Sequence, residues 1–128
     1  MNLEVLVSDM MTMNTVARLW HWTTDTAQHH VTYESFLNQN EDHTDSFVES
    51  ALGNDLNIDF SKVGVTEAKI EKYDLNNVKE SFKSFRARVF EAKKSLQNNE
   101  SSANEELITI LDDVTDLTSK TLYLLKLK

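Results

Sequence analysis

The chain has no cysteine, no proline and only two glycines, Gly53 and Gly64, in its 128 residues. Lacking cysteine, it can form no disulfide, thiolate zinc site or iron–sulfur cluster, and it has no cysteine nucleophile. Proline removes a backbone donor and clashes with the preceding turn, so its absence leaves long helices uninterrupted. Long apolar runs are missing as well; the stretch 122–125 is far too short to cross a bilayer. No basic-then-apolar leader opens the chain, and its first cation is Arg18. The expectation is a soluble cytoplasmic protein without a signal peptide and without a membrane partner.

Positive charge is scarce: thirteen Lys and Arg face twenty-one Asp and Glu, for a net charge of −8. Such a surface repels phosphate backbones unless a basic patch is segregated from the rest. The richest basic stretch is Lys79, Lys83, Arg86, Arg88, Lys93 and Lys94, and Glu80 and Glu91 interrupt it. It reads as a solvated helix face of mixed charge, which argues against a nucleic-acid partner. A glycine-rich phosphate loop, a nucleophile elbow and a His-Glu-x-x-His zinc motif are all lacking. So is the doubled Glu-x-x-His of di-iron bundles, which argues against a di-iron site within one chain.

What the chain does have is helical periodicity, within one domain spanning residues 1–128. Over 3–23, Leu3, Leu6, Val7, Met10, Met13, Ala17 and Trp20 recur at three- and four-residue steps. Thr24 and Asp25 offer capping oxygens for a second helix over 26–52, which Gly53 can close in the left-handed conformation. So short a connection favours an antiparallel hairpin. Residues 54–74 are hardest to read: Ile58, Phe60, Val63 and Val65 look extended, while 67–73 can form a short helix. In a third helix over 75–97, Leu75, Val78, Phe82, Phe85, Val89, Ala92 and Leu96 alternate steps of three and four. After a polar turn at 98–100, Ser102 and Glu105 match a capping box opening a fourth helix. That helix presents Leu107, Ile110, Leu111, Val114, Leu117, Thr121 and Leu124. The fold expected is an all-α, antiparallel four-helix bundle, with a long crossover setting the third helix parallel to the second.

The second helix carries an unusually polar stripe. With His30 at zero and 100° per residue, Glu34 lies at about 40°, Asp45 at about 60° and Glu49 at about 100°. Leu37 and Val48 fall within roughly 20° of zero, so acids and an imidazole share a face with core residues. That placement is costly unless the polar groups are solvated, paired or bound to a cation. His30 and Glu34 are four apart, as are Asp45 and Glu49, so each pair can hold one ion. Mixed nitrogen and oxygen donors suit iron(II), manganese or zinc. Fifteen residues, roughly 22 Å of rise, separate the pairs, too far for one ion to join them. Two copies resolve this. If their second helices pack antiparallel about a twofold axis near Asn40, His30 and Glu34 of each face Asp45 and Glu49 of the other. His21, at the end of the first helix, can supply a further ligand. In the competing reading, Glu34, Asp45 and Glu49 form salt bridges with Arg18, Lys83 or Arg86. His29 and His43 are expected at the surface, Glu41 on the polar face, and Trp20 and Trp22 in core or interface.

The pair His21-Trp22, the segment from His30 to Glu34 and the segment from Asp45 to Glu49 resemble the ligand elements of Dps proteins, the mini-ferritins of the ferritin-like superfamily. The chain looks most similar to short Dps-like proteins of tailed bacteriophages. The resemblance implies a ferritin-like bundle whose intersubunit metal ligands are His21, His30, Glu34, Asp45 and Glu49. It also implies oxidation of iron(II) by peroxide or oxygen, storage of iron(III), and a homo-oligomer of twofold dimers, twelve subunits in all. Its place would be the host cytoplasm or the virion. The chain departs from the family in its shorter loop after Trp22, in Ser50 where an Arg is usual, and in having no lysine-rich tail. The DNA binding of some Dps members is therefore not carried over. A non-catalytic helical module used in phage assembly or partner binding is the alternative.

Overall fold

The computed structural model describes residues 2–65, 68–70, 72–98 and 102–127. Four helices carry the fold: α1 Leu3–Thr23, α2 Ala27–Gly53, α3 Leu75–Gln97 and α4 Ser102–Lys126. No strand occurs among the described residues. The helix starts follow local chemistry. The side chains of Asn2, Thr26 and Asp74 accept hydrogen bonds from the N–H groups of Val5, His29 and Asn76, satisfying donors that a helix start leaves open. The side chain of Ser102, expected to open a capping box, lies outside the described residues, as do Asn99 and Glu100 of the expected polar turn.

The end of α2 differs from expectation. Gly53 is its last helical residue, and Asn54 is the C-cap. The left-handed position belongs to Asp55, at φ 61°. The Asp55 N–H bonds Leu52 O and the Leu56 N–H bonds Ala51 O. This is the Schellman closure, with aspartate taking the place usually held by glycine.

α1 packs on α2, α2 on α4 and α4 on α3, while α1 and α3 touch sparingly. Long-range contacts fix the directions. The Tyr33 hydroxyl, early in α2, meets the Tyr73 hydroxyl just before α3 at 2.6 Å. Ser50 and Asn54, at the far end of α2, donate to the Glu106 carboxylate in the first turns of α4. Those two bonds, Ser50 first, hold the Glu106 carboxyl below its usual range. α2 and α3 therefore run parallel on opposite corners of the bundle, and residues 54–74 span its length. Within that crossover, residues 60–62 form a 3-10 turn where extended chain was expected. The described part of the proposed short helix, 68–70 and 72–73, is not helical; residues 67 and 71 lie outside the described residues.

The core is one cluster, with Met10, Tyr33, Phe36, Phe47, Phe82, Phe85, Leu107 and Leu111 among its fully buried side chains. Phe36 meets Phe82 edge-on at 4.9 Å, and Trp20 tilts onto Phe82 at 5.3 Å. Burying a large side chain contributes roughly 1.5–3 kcal/mol, so these rings help to tie α1, α2 and α3 together. On α4 the buried face is Leu107, Leu111, Val114, Leu117, Thr118, Thr121, Leu122 and Leu125; Ile110 and Leu124 are only half-buried. Four cations of α3 meet acids: Lys83 pairs with Glu80, Arg88 with Asp9, Lys93 with Asp112 and Lys94 with Glu91, while Arg86 donates to the Ser119 hydroxyl. No helix among the described residues is long and apolar enough to cross a membrane.

Candidate metal centre

The α1–α2 turn brings the first ligands together. Thr24 ends α1 by donating its N–H to Trp20 O, and Thr26 caps α2. Only residues 24–26 lie between the helices, so His21 on α1 stands level with His30 on α2. Their rings stack with centroids 3.7 Å apart and planes 21° from parallel. His21 Nδ1 lies 2.8 Å from His30 O, and His30 Nδ1 lies 2.7 Å from His21 O. A carbonyl oxygen can only accept, so each Nδ1–H donates, and in the neutral tautomer this leaves Nε2 as the nitrogen free to bind a metal. Metal-binding histidines are typically oriented in this way, through the ring nitrogen that does not bind.

Glu34 stands one turn after His30. One donor atom each of His21, His30 and Glu34 lies within 4.8 Å of the others, the group of this kind found among the described residues. His21 is half-buried, and His30 and Glu34 are exposed. Two imidazoles and one carboxylate make a mixed donor set with room for further ligands, suited to iron, zinc or manganese. His21, His30 and Glu34 thus form a cluster able to hold a metal ion.

Asp45 and Glu49 do not join them. Both are exposed on the same stripe of α2 but toward its other end. They line a cleft of about 570 Å³ together with Arg18, Glu41, Val48, Phe60, Val63 and Val65. The competing salt bridges are not formed either: among the described residues, no cation pairs with Glu34, Asp45 or Glu49. Lys83 is taken by Glu80, Arg86 donates to Ser119, and the Arg18 guanidinium lies 5.9 Å over the Trp22 ring.

Three expectations near the site need correction or division. His29, expected at the surface, is buried at 8% exposure and tilts against Tyr33. One residue out of the ligand register, it turns by about 100° and points into the bundle. The tryptophans divide: Trp20 is core, while Trp22 is 65% exposed. Asn40, the midpoint chosen for a twofold axis, is fully buried and donates to Met10 O and Asn14 Oδ1. The exposed positions at that level are Asn38 and Glu41. The Tyr33–Tyr73 bond was missed, because a pairing across forty residues leaves no trace in local periodicity.

The fold and this cluster define an all-helical protein with a histidine–carboxylate group at the closed end of its first hairpin. Residues 21–125 match the model of DUF5856, a family of unknown function, and the chain belongs to that family. No curated protein and no solved structure matches it.

Proposed function

We propose that this protein is a Dps-like mini-ferritin that binds iron(II) between two copies of the chain, oxidises it and stores iron(III). The observation that carries the reading is the convergence of His21, His30 and Glu34, with both Nδ1 atoms engaged by chain carbonyls. The packing order, with α2 and α3 parallel at opposite corners, supports a ferritin-like bundle with its long crossover. Asp45 and Glu49, unpaired and out of reach within the chain, are left for a neighbour. A twofold axis passing Asn38 and Glu41 sets them against His30 and Glu34 of that neighbour.

In this reading iron(II) is the substrate. The imidazoles and carboxylates bind it and neutralise the charge it gains. Two iron(II) ions each give one electron to hydrogen peroxide; its O–O bond breaks and two hydroxides leave. Dioxygen is the alternative acceptor. The acidic surface of a chain whose net charge is −8 collects the iron(III). Closure into a shell, of twelve subunits by the resemblance, is needed for storage.

The test is stopped-flow absorbance after mixing iron(II) and peroxide, with Asp45→Ala/Glu49→Ala as the comparison. Fast growth of the iron(III) signal is expected only in the unmodified protein; equal rates would sink the reading. A non-catalytic helical module for phage assembly or partner binding is the second reading. It is favoured by the mutual bonding of the two histidines, which holds the end of the hairpin together through the side chains themselves. Native mass spectrometry with and without chelator separates the two: a metal-free monomer in both conditions supports the module.

A further inference from the structure

A second cleft, of about 540 Å³, opens between α1, the last part of the crossover and the start of α3. Val16 and Trp20 of α1 and Ala68 and Ile70 of the crossover give it apolar walls. Lys69, Lys72, Asn77 and Ser81 give it polar groups, and none of its lining residues is a candidate metal ligand. A space of this size with a mixed lining suits a small molecule.

Trp20 is only 5% exposed, with its ring tilted against Tyr33 and Phe82. A buried indole N–H ordinarily finds an acceptor. This one has no hydrogen-bond partner among the described residues. Nor is it sealed into the core, because the fully buried side-chain atom that lacks a partner there is Asn40 Oδ1. The N–H must therefore reach open space, and the cleft is the space that Trp20 lines. The side chains of Lys72, Asn77 and Ser81 also have no hydrogen-bond or ion-pair partner among the described residues.

The cleft is thus rich in donors. Its one acid, Asp74, is engaged in capping α3 through the Asn76 N–H. The start of α3 adds the positive end of a 23-residue helix. On a chain of net charge −8, two lysines and this helix end make a local preference for an anion. An inorganic oxyanion would lose hydration beside the apolar walls and gain nothing from them.

We propose that this cleft binds a small organic acid with a short aliphatic body. Its carboxylate accepts from the Trp20 N–H and from Lys72, Asn77 and Ser81, and its alkyl part lies against Val16 and Ile70. Hydrogen bonds to a charged acceptor are the stronger kind, which suits a carboxylate better than an amide. The site is separate from the metal cluster and does not depend on iron chemistry.

Trp22 is exposed, so Trp22→Phe leaves Trp20 as the sole indole of the chain without touching the cleft. In nitrogen-15-labelled protein of this kind, the single indole N–H resonance reports on Trp20 directly. Butyrate, titrated at constant ionic strength, should move that resonance downfield along a saturating curve. Butyramide and inorganic phosphate should do so only at concentrations roughly tenfold higher or more. Adding Lys72→Gln/Ser81→Ala should raise the butyrate midpoint by a similar factor, with circular dichroism confirming the fold. A resonance that stays in place, or a midpoint unchanged in that variant, overturns the site. Phosphate or butyramide binding as tightly as butyrate overturns the assignment to an organic acid.

Discussion

Replacing Glu34 by Gln separates the proposed metal-binding role of this residue from its structural one. The side chain is exposed and has no ion-pair partner among the described residues, and glutamine preserves its size and helix propensity. The metal-free variant should therefore keep its stability within about 0.5 kcal/mol. Zinc serves as a redox-inert probe. At a concentration a hundredfold above its dissociation constant, it stabilises the unmodified protein by about 2.7 kcal/mol. Disturbing a group that merely orients a ligand costs up to about a hundredfold in affinity, so losing a ligand's charge should cost at least that. At the same zinc concentration the variant then gains only roughly 0.4 kcal/mol. For a domain of this size the difference is about 7–12 °C in melting temperature. The assay is thermal unfolding followed by circular dichroism, with chelator and with zinc. Equal zinc-induced shifts in the two proteins, with equal metal-free melting temperatures, would refute a role for Glu34 as ligand.

Other outcomes follow from the fold around the site. Gly53 is helical, and a Cβ added there meets nothing within 4 Å, so Gly53→Ala should stabilise by about 0.5–1 kcal/mol in urea denaturation. A loss would mean that the residue needs glycine's freedom after all. Burial, then the hydrogen bond to Tyr73, pushes the Tyr33 phenol far above its ordinary value of 10.0. The unfolded chain ionises at that ordinary value while the folded one stays protonated. Stability from this group is thus complete below pH 10 and falls by about 1.4 kcal/mol per pH unit above it. Tyr33→Phe forfeits about 1 kcal/mol of hydrogen bonding at neutral pH but also loses that slope. The two stability curves should converge near pH 11, roughly where the lost slope offsets the lost bond. A difference that stays constant from pH 7 to 11 would show that Tyr33 titrates alike in both states.

The helices were readable because each pays for its burial in a period that survives in the sequence. α1 and α3 coincide with their expected bounds, and α2 is displaced by one residue. The crossover was not readable, because its order comes from distant partners. Ile58 is buried in the common core, Gly64 N–H bonds Ser8 Oγ, and Tyr73 is held by Tyr33. None of these contacts is local, so nothing in residues 54–74 announces them. The cap of α2 failed differently. Glycine is the usual left-handed residue, but the closure needs only one residue able to take positive φ, and Asp55 lies two places on.

The site was readable to the extent that it lies on single helices. His30 and Glu34 converge because they are one turn apart, and His21 joins them because the turn between α1 and α2 is short. What spacing could not show was the mutual bonding of the two histidines, which settles the proton on each Nδ1 before any metal arrives. Nor could spacing show which way Asn40 points. Asn40 is the midpoint between the two ligand pairs along the chain, but symmetry acts on the surface, and Asn40 is turned fully into the bundle against α1. An axis on this stripe must instead pass exposed Asn38 and Glu41. Two Glu41 carboxylates then approach each other near the axis, where like charges disfavour association. Arg18 and a bound cation are the groups placed to offset that repulsion. Association of this protein should therefore tighten with divalent metal and weaken with chelator. Sedimentation velocity measures it directly, and self-association indifferent to metal would refute a metal site shared between two copies.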